Sequence, residues 1–260
     1  MKVAIFAGGL GTRLGEETNT IPKPMVEIGG FPILWHIMKF YSSYGFNEFI
    51  ILCGYKGEVI KDYFANYCMR NSDITVSLAD NLVEIHKKNN EDWKVTLIYT
   101  GRNAMTGARL KKAYSLLKNE SFMLTYGDGL SNINLNKLLE THKQSGKIAT
   151  VTAVRPEGRF GALKIEKDLV TDFTEKKDNI NSRINGGFFV LEPKIFDCIS
   201  DEDDANFEVH TLNKISKIGQ LVAYQHDGFW HCMDTLKDKN DLNAMWASGN
   251  GNAPWKVWND

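Results

Sequence analysis

Short apolar runs alternate with segments of helical periodicity through the first 150 residues of this chain of 260. The apolar runs have the length of buried strands, and they occupy residues 3–6, 49–53, 95–99, 122–126 and 149–154. The segments with helical spacing occupy residues 32–44, 58–67, 109–117 and 134–145. Because strands that alternate with helices form βαβ units, this pattern predicts an α/β fold with a mostly parallel sheet and helices on both of its faces.

The second part of the chain departs from this alternation. Residues 162–165 and 169–173 are strand-like on either side of Lys167 and Asp168, which predicts a hairpin. Further segments are strand-like at residues 188–191 and helix-like at residues 193–199 and 235–247. We therefore expect small α+β insertions around the same sheet.

Composition excludes several classes of partner and places the chain among soluble globular proteins. The formal net charge is −1, so no global charge attracts nucleic acid or an anionic membrane, and any cationic site must be local. No apolar stretch approaches the roughly 20 residues that a membrane span needs. The four cysteines lack Cys-x-x-Cys spacing, which argues against zinc, and with no export signal we expect reduced thiols in a cytoplasm.

A glycine-rich loop follows the first predicted strand. Gly8, Gly9 and Gly11 leave backbone N–H groups bare where that strand should end, and turns of this kind form anion-binding nests. Arg13 adds a cation, and Lys23 adds another between two prolines. The combination predicts a triphosphate site, although a glycine turn after a strand is also common in α/β proteins that bind no phosphate.

Two familiar phosphate motifs do not match this loop. A P-loop requires Lys-Ser or Lys-Thr after its glycines, and neither pair follows Gly8 at that spacing. A dinucleotide fingerprint requires glycine at its sixth position, where this chain has Leu14. Hydride transfer to a nicotinamide is therefore disfavoured.

The loop resembles the signature of the sugar-1-phosphate nucleotidyltransferases. The matching residues are Gly8-Gly9-Leu10-Gly11-Thr12-Arg13-Leu14 and Pro22-Lys23-Pro24-Met25. Narrower blocks are similar to the members that transfer a cytidylyl group from CTP to glucose 1-phosphate, and they lie at residues 25–30, 33–38, 53–57, 105–107, 125–129, 158–163, 184–189, 233–235 and 253–256. The resemblance extends over essentially the whole chain.

The resemblance implies a fold, a reaction and partners. The fold is a Rossmann-like three-layer sandwich of the GT-A-like nucleotidyltransferase type, in one domain over residues 1–260. Within it, residues of about 1–130 bind the nucleotide, and residues of about 131–260 bind the sugar phosphate and supply oligomer contacts. The implied reaction is in-line attack of glucose 1-phosphate on the α-phosphorus of CTP with Mg²⁺, which yields CDP-glucose for deoxysugar and O-antigen (lipopolysaccharide) synthesis. The implied assembly is a homo-oligomer, a trimer or hexamer, with no nucleic-acid or membrane partner.

The resemblance also assigns nucleotide and metal sites. Arg13 and Lys23 are the implied catalytic cations, with Arg13 at the β- and γ-phosphates and Lys23 beside the α-phosphate. Asp128 and Asp234 are the implied metal ligands, although without the resemblance the first could be a mere turn residue and the second a helix N-cap. The implied nucleotide-binding residues are Ala7, Gly8, Gly9, Leu10, Gly11, Thr12, Arg13, Lys23, Thr106, Gly107, Arg109 and Gly127.

The sugar phosphate and the base are assigned in the same way. The implied sugar-phosphate residues are Gly161, Glu175, Lys176, Asn185 and Gly186. Lys177 stands where many members of the family have proline, which leaves the choice between Lys176 and Lys177 open. Arg109 is the implied donor to N3 and O2 of cytosine, with a solvated charge on a helix face as its alternative. Gly107 would let the base approach the backbone.

Other interpretations remain open at this point. UDP- or dTDP-sugar synthesis by the same chemistry is the first alternative. A nucleotide-sugar sensor without catalysis is the second, and the joint presence of Arg13, Lys23, Asp128, Asp234 and Lys176 argues against it. His36 is expected to be a packed core residue and not a catalyst.

Overall fold

The computed structural model describes residues 1–87, 90–155, 162–166, 168–174, 183–248 and 253–258. The strands are β1 (Val3–Ala7), β2 (Glu27–Ile28), β3 (Phe31–Pro32), β4 (Glu48–Cys53), β5 (Asp73–Ser77), β6 (Leu82–Lys87), β7 (Lys94–Tyr99), β8 (Phe122–Tyr126), β9 (Gly129–Ser131), β10 (Ala149–Val154), β11 (Ala162–Glu166), β12 (Leu169–Thr174), β13 (Ile184–Leu191), β14 (Leu221–His226) and β15 (Trp230–Cys232).

Helices of three kinds connect these strands. The α-helices are α1 (Ile33–Ser42), α2 (Gly57–Ala65), α3 (Tyr67–Arg70), α4 (Thr106–Lys112), α5 (Tyr114–Leu117), α6 (Leu135–Ser145), α7 (Asn213–Lys217) and α8 (Leu236–Ser248). Helices of 3₁₀ type cover Thr12–Asn19, Lys23–Met25 and Pro193–Cys198, and Phe207–Leu212 forms a π-helix. None of the helices in the described ranges has the length and apolar character to cross a membrane.

Nine strands form the central sheet in the order β11-β12-β14-β10-β13-β8-β1-β4-β7. The strands β8, β1, β4 and β7 pair in parallel, as do β14 and β10. Strand β13 runs antiparallel between β10 and β8, and β12 is also reversed relative to β14. The sheet is therefore mixed and mostly parallel, which confirms the predicted α/β fold.

Strand β1 explains why the sheet is covered on both faces. All five of its residues are buried, and successive side chains point to opposite faces of a strand. Val3, Ile5 and Ala7 join a core with residues of α1, α2, α6 and α8. Ala4 and Phe6 join a second core with residues of α4, α5 and α7. A strand buried on both faces shows a continuous apolar run, as the sequence has here.

The insertion in the second half adds strands at one edge of this sheet. Strands β11 and β12 form the predicted antiparallel hairpin, and β12 contacts β14. Strand β14 itself was not predicted. The hairpin of β5 and β6 was not predicted either, because most of its side chains are exposed and it shows no buried face.

One predicted helix has different bounds and is interrupted. The helix expected over residues 109–117 begins at Thr106 and divides at Ala113 into α4 and α5. The N–H of Ala113 bonds to the carbonyl of Leu110, three residues back, which is the tighter 3₁₀ spacing. The helix expected over residues 193–199 is also of the 3₁₀ type.

His36 is a core residue, as expected, and its surroundings keep it neutral. Its Nε2 donates to the carbonyl of Ile28 over 2.8 Å, and the indole N–H of Trp255 donates to its Nδ1 over 3.4 Å. A carbonyl can only accept and an indole can only donate, so these partners select one neutral tautomer. Burial lowers the pKa of His36 from 6.5 to about 4, despite the bond to Ile28.

We expect acid to destabilise the fold through His36. Its pKa is lower in the folded chain, so the unfolded chain binds the proton first and stability is lost as pH falls below 6.5. Between about pH 8 and about pH 5 the wild type should lose about 2 kcal/mol more unfolding free energy than His36→Gln. Urea denaturation at both pH values measures the difference. An equal loss in the two proteins would contradict this assignment.

Candidate active site

A cavity of about 560 Å³ opens at the carboxyl ends of β1 and β8. Ligands bind at this end of parallel strands in open α/β sheets. Residues of four stretches line the cavity, namely 6–13, 23–24, 102–106 and 126–128, together with Arg109 and Asp234, while the predicted Gly107 is not among them. The cavity thus collects most of the predicted nucleotide-binding residues from distant parts of the chain.

The glycine loop forms one wall of the cavity, and its backbone is in close contact with neighbouring groups of the protein. A Cβ at Gly8 would lie 2.2 Å from Nη1 of Arg109, and a Cβ at Gly127 would lie 2.5 Å from the carbonyl of Phe6. Gly11 has a φ of 66°, in the left-handed region that glycine tolerates. The short, bare loop therefore depends on glycine for its packing and for its turn.

Lys23 brings the predicted cations and carboxylates together. Its Nζ lies 2.5 Å from Oδ2 of Asp128 and 2.6 Å from Oδ1 of Asp234. Arg13 donates to the other oxygen of Asp234 over 2.9 Å. Two of these pairs join residues more than 200 positions apart, so the fold assembles a cluster that sequence order does not show.

The cluster fixes the charges of its members. Burial alone would lower the pKa of Lys23, but Asp128 and Asp234 outweigh it and raise the pKa well above its ordinary value. Burial would raise the pKa of Asp234, but Lys23 and then Arg13 lower it. Lys23 is therefore a permanent cation and Asp234 a carboxylate at neutral pH.

Asp234 does not cap the helix that follows it. Thr235 and Asp238 form a reciprocal cap, in which Asp238 accepts from the backbone N–H and the hydroxyl of Thr235. The hydroxyl of Thr235 accepts in return from the N–H of Asp238 over 3.2 Å. This arrangement excludes the N-cap alternative for the Asp234 side chain and leaves its carboxylate in the cavity.

Arg109 is buried in the cavity wall, which excludes the alternative of a solvated charge. Its two terminal nitrogens donate to the carbonyls of Gly8, Gly101 and Arg102 over 2.7 to 3.2 Å. One of them also donates to the hydroxyl of Thr100 over 2.7 Å. The guanidinium thus ties the glycine loop to the segment after β7. Its predicted contact with a base remains a prediction.

Gly107 has a reason for being glycine that differs from the expected one. A Cβ there would lie 2.7 Å from the carbonyl of Ala205 and 3.2 Å from the backbone nitrogen of Phe207. The close approach that requires glycine is therefore made by the protein's own backbone. Thr106, beside it, lines the cavity and donates to Glu208 over 2.6 Å.

The predicted sugar-phosphate site is described only in part. Gly161, Glu175, Lys176 and Lys177 lie outside the described residues. The other two predicted residues, Asn185 and Gly186, lie at the start of β13. Asn185 donates to the hydroxyl of Tyr126 over 2.9 Å, and the carbonyl of Gly186 accepts from the indole of Trp230 over 2.7 Å.

Several residues of this region were not predicted from the sequence. Arg102, Asn103 and Met105 line the cavity. Tyr126 also lines it, and its place directly before the Gly-Asp-Gly turn could have indicated this position. Glu208 joins Tyr126 and Thr106 by hydrogen bonds, and no motif marks it.

Comparison with known proteins agrees with the geometry. A family model described as nucleotidyl transferase matches residues 2–260. The chain is 52% identical over 259 residues to a glucose-1-phosphate cytidylyltransferase from Salmonella typhi, covering 99% of this chain and 100% of the relative. It is 45% identical over 258 residues to a probable glucose-1-phosphate cytidylyltransferase from Bacillus subtilis, covering 99% of this chain and 100% of that relative.

Solved structures share the fold. HddC from Yersinia pseudotuberculosis in complex with GMP-PN is 25% identical, with a TM-score of 0.74 over 94% of this chain and 98% of that one. A putative glucose-1-phosphate thymidylyltransferase from Bacillus anthracis is 18% identical, with a TM-score of 0.76 over 94% of each chain. The second similarity concerns the fold alone.

Proposed function

Because the chain belongs to the nucleotidyl transferase family, we propose that it transfers a cytidylyl group from CTP to α-D-glucose 1-phosphate and releases CDP-glucose and pyrophosphate. The observation that carries the choice of substrates is the 52% identity, over essentially both chains, to the Salmonella typhi cytidylyltransferase. The cavity with its glycine loop, two cations and two carboxylates supports the chemistry.

The proposed reaction is a displacement at the α-phosphorus. A phosphate oxygen of glucose 1-phosphate forms the new P–O bond as the bond between the α-phosphorus and the bridging oxygen of pyrophosphate breaks. Such a transfer needs little from side chains except in-line placement and neutralised charge. The raised pKa of Lys23 suits it to act as a fixed cation and donor at the α-phosphate, and not as a proton shuttle. Arg13, which is largely exposed, can reach the β- and γ-phosphates.

Asp128 and Asp234 are the residues that would hold Mg²⁺. They fit the ion, because an oxygen of each carboxylate lies against the same Nζ and the pair therefore converges on a cationic position. Magnesium takes one or two protein carboxylates and completes its shell with phosphate oxygens and water. When bound, the ion would neutralise charge on the phosphates.

The sugar phosphate is proposed to bind at Gly161, Glu175, Lys176, Asn185 and Gly186. Of these, Asn185 and Gly186 lie at the start of β13, beside Tyr126 of the cavity wall. We also propose one domain over residues 1–260. Most of the cavity lies within residues of about 1–130, while Asp234 comes from the second part. A homo-oligomer of three or six copies and a cytoplasmic place of action are proposed from the family resemblance.

A panel of nucleoside triphosphates with glucose 1-phosphate tests the proposal. We expect pyrophosphate release with CTP, and a kcat/KM for UTP or dTTP lower by about 100-fold, because a mispaired base edge leaves buried polar groups unsatisfied. Reactions without glucose 1-phosphate or without Mg²⁺ are the controls. Faster turnover with UTP or dTTP would support the alternative sugar pyrophosphorylase. Binding of CDP-glucose without turnover of any triphosphate would support the sensor.

A further inference from the structure

A chain of hydrogen bonds joins the nucleotide cavity to the proposed sugar site. The carboxylate of Glu208, on the π-helix, accepts from the hydroxyl of Thr106 over 2.6 Å and from that of Tyr126 over 2.7 Å. The oxygen of Tyr126 in turn accepts from the side-chain amide of Asn185 over 2.9 Å. Thr106 and Tyr126 line the cavity, and Asn185 lies beyond it.

The direction of every bond in this chain is determined by chemistry. A carboxylate can only accept, so the hydroxyls of Thr106 and Tyr126 both donate to Glu208. The hydroxyl of Tyr126 donates its single proton to Glu208 and can only accept from another partner. Asn185 must therefore present its NH₂ group to the Tyr126 oxygen. Two backbone groups agree with this direction. Gly187 N–H donates to Oδ1 of Asn185 over 2.9 Å, and Phe207 N–H donates to the hydroxyl oxygen of Thr106 over 2.9 Å.

Tyr126 is well suited to transmit this orientation. Its ring stacks on Phe6 with centroids 5.8 Å apart and contacts Phe189 edge-on at 6.0 Å, so the ring has little freedom to turn. Burial, and then the charge of Glu208, raise the pKa of Tyr126 well above its ordinary value. The hydroxyl donates to Glu208 over 2.7 Å, which fixes the direction of its O–H bond.

The geometry assigns Glu208 as a positioning residue that sets Asn185 as a hydrogen-bond donor toward the hexose 1-phosphate. The NH₂ group of Asn185 has two N–H bonds and gives one to Tyr126. The second has no acceptor among the described residues, so it is available to donate to an oxygen of the hexose 1-phosphate. Glu208 acts through Tyr126 and Asn185, without touching the substrate itself. This inference rests on the proposed function.

Glu208→Gln tests the inference with almost no change in shape. A glutamine side chain offers one acceptor oxygen where the carboxylate offers two, so one of the two hydroxyls must reverse its direction. If the Tyr126 hydroxyl accepts from the new glutamine amide instead of donating to position 208, its O–H turns toward Asn185. Asn185 must then rotate its side-chain amide or lose its bond to Tyr126. We expect the KM for glucose 1-phosphate to rise about 10-fold, which corresponds to the loss of one hydrogen bond. The folded fraction at the assay temperature, measured by thermal unfolding, should change less than twofold.

Tyr126→Phe and the double variant show whether the effect passes through Tyr126. Tyr126→Phe alone should raise the same KM by a similar factor. Adding Glu208→Gln to Tyr126→Phe should then change it less than twofold, because the connection is already broken. A merely structural role for Glu208 would instead give independent effects that multiply.

Glu192→Gln is the matched control. Glu192 likewise accepts from a hydroxyl and from an imidazole, those of Ser121 and His142, but it lies away from the cavity. This variant should leave the KM for glucose 1-phosphate unchanged. An unchanged KM in Glu208→Gln, or multiplying effects in the double variant, overturns the inference. Absence of turnover by the wild type overturns the proposed function instead, so the two failures are distinguishable.

Discussion

Lys23→Met is expected to lower kcat about 1,000-fold, because removal of one preorganised donor to a developing charge costs this much in other enzymes. Methionine keeps the length and apolar stem of the side chain and removes the cation. In the wild type both Asp128 and Asp234 bond to Nζ of Lys23, so in the variant the two carboxylates lose the cation that lies between them. Pyrophosphate release at saturating CTP and glucose 1-phosphate measures the loss.

Two further measurements make this prediction specific. Lys39→Met removes a lysine that is similarly shielded, pairs with Glu91 over 2.9 Å and lies outside the cavity, so kcat should stay within twofold of the wild type. Thermal unfolding of Lys23→Met should also become more sensitive to Mg²⁺, since the two carboxylates no longer share a lysine. A kcat near that of the wild type would remove Lys23 from the catalytic role.

Arg109→Met is expected to destabilise the folded chain by about 3 kcal/mol, because it leaves several buried acceptors without a donor. The guanidinium bonds to Thr100 and to three backbone carbonyls, including that of Gly8. Activity should fall as well, since the glycine loop loses its tie to the segment after β7. Urea denaturation measures the free energy of unfolding.

Arg109→Lys and Arg70→Met serve as comparisons for that prediction. Lysine keeps the charge but cannot span the same acceptors with a planar fork, so most of the loss should remain. Arg70 is exposed at the end of α3, and its replacement should change the unfolding free energy by less than about 0.5 kcal/mol. If Arg109→Met were as stable as Arg70→Met, the bonds to the loop would contribute little to the fold.

The fold was predictable where an apolar pattern met a buried surface. Strands β1, β4, β8 and β10 are buried almost throughout, so their apolar runs indicated both their type and their position. The hairpin of β5 and β6 has mostly exposed side chains, and no apolar alternation marked it. The start of α4 was also missed, because Gly107 is a poor helix former whose place is set by contact with Ala205.

The candidate site was predictable where a local motif presents a side chain or a bare backbone. The glycine loop, Lys23 and Asp128 belong to such motifs, and the structure places all of them at one cavity. The partnership of Lys23 with Asp234 and the enclosure of Arg109 depend on tertiary packing. Glu208 could not be found from the sequence, since only the fold brings it to Thr106 and Tyr126.

The contact between Trp255 and His36, which are far apart in sequence, has a consequence for folding during synthesis on the ribosome. Trp255 is completely buried and bonds to His36, which precedes it by 219 residues. The aromatic face of α1 around His36 therefore stays uncovered until nearly the whole described chain has been translated. Asp234 likewise reaches Lys23 only after 211 further residues have been made. A nascent chain can build the first strands of the sheet early, but it acquires its second carboxylate only once residue 234 has been made and closes this core only once residue 255 has been made.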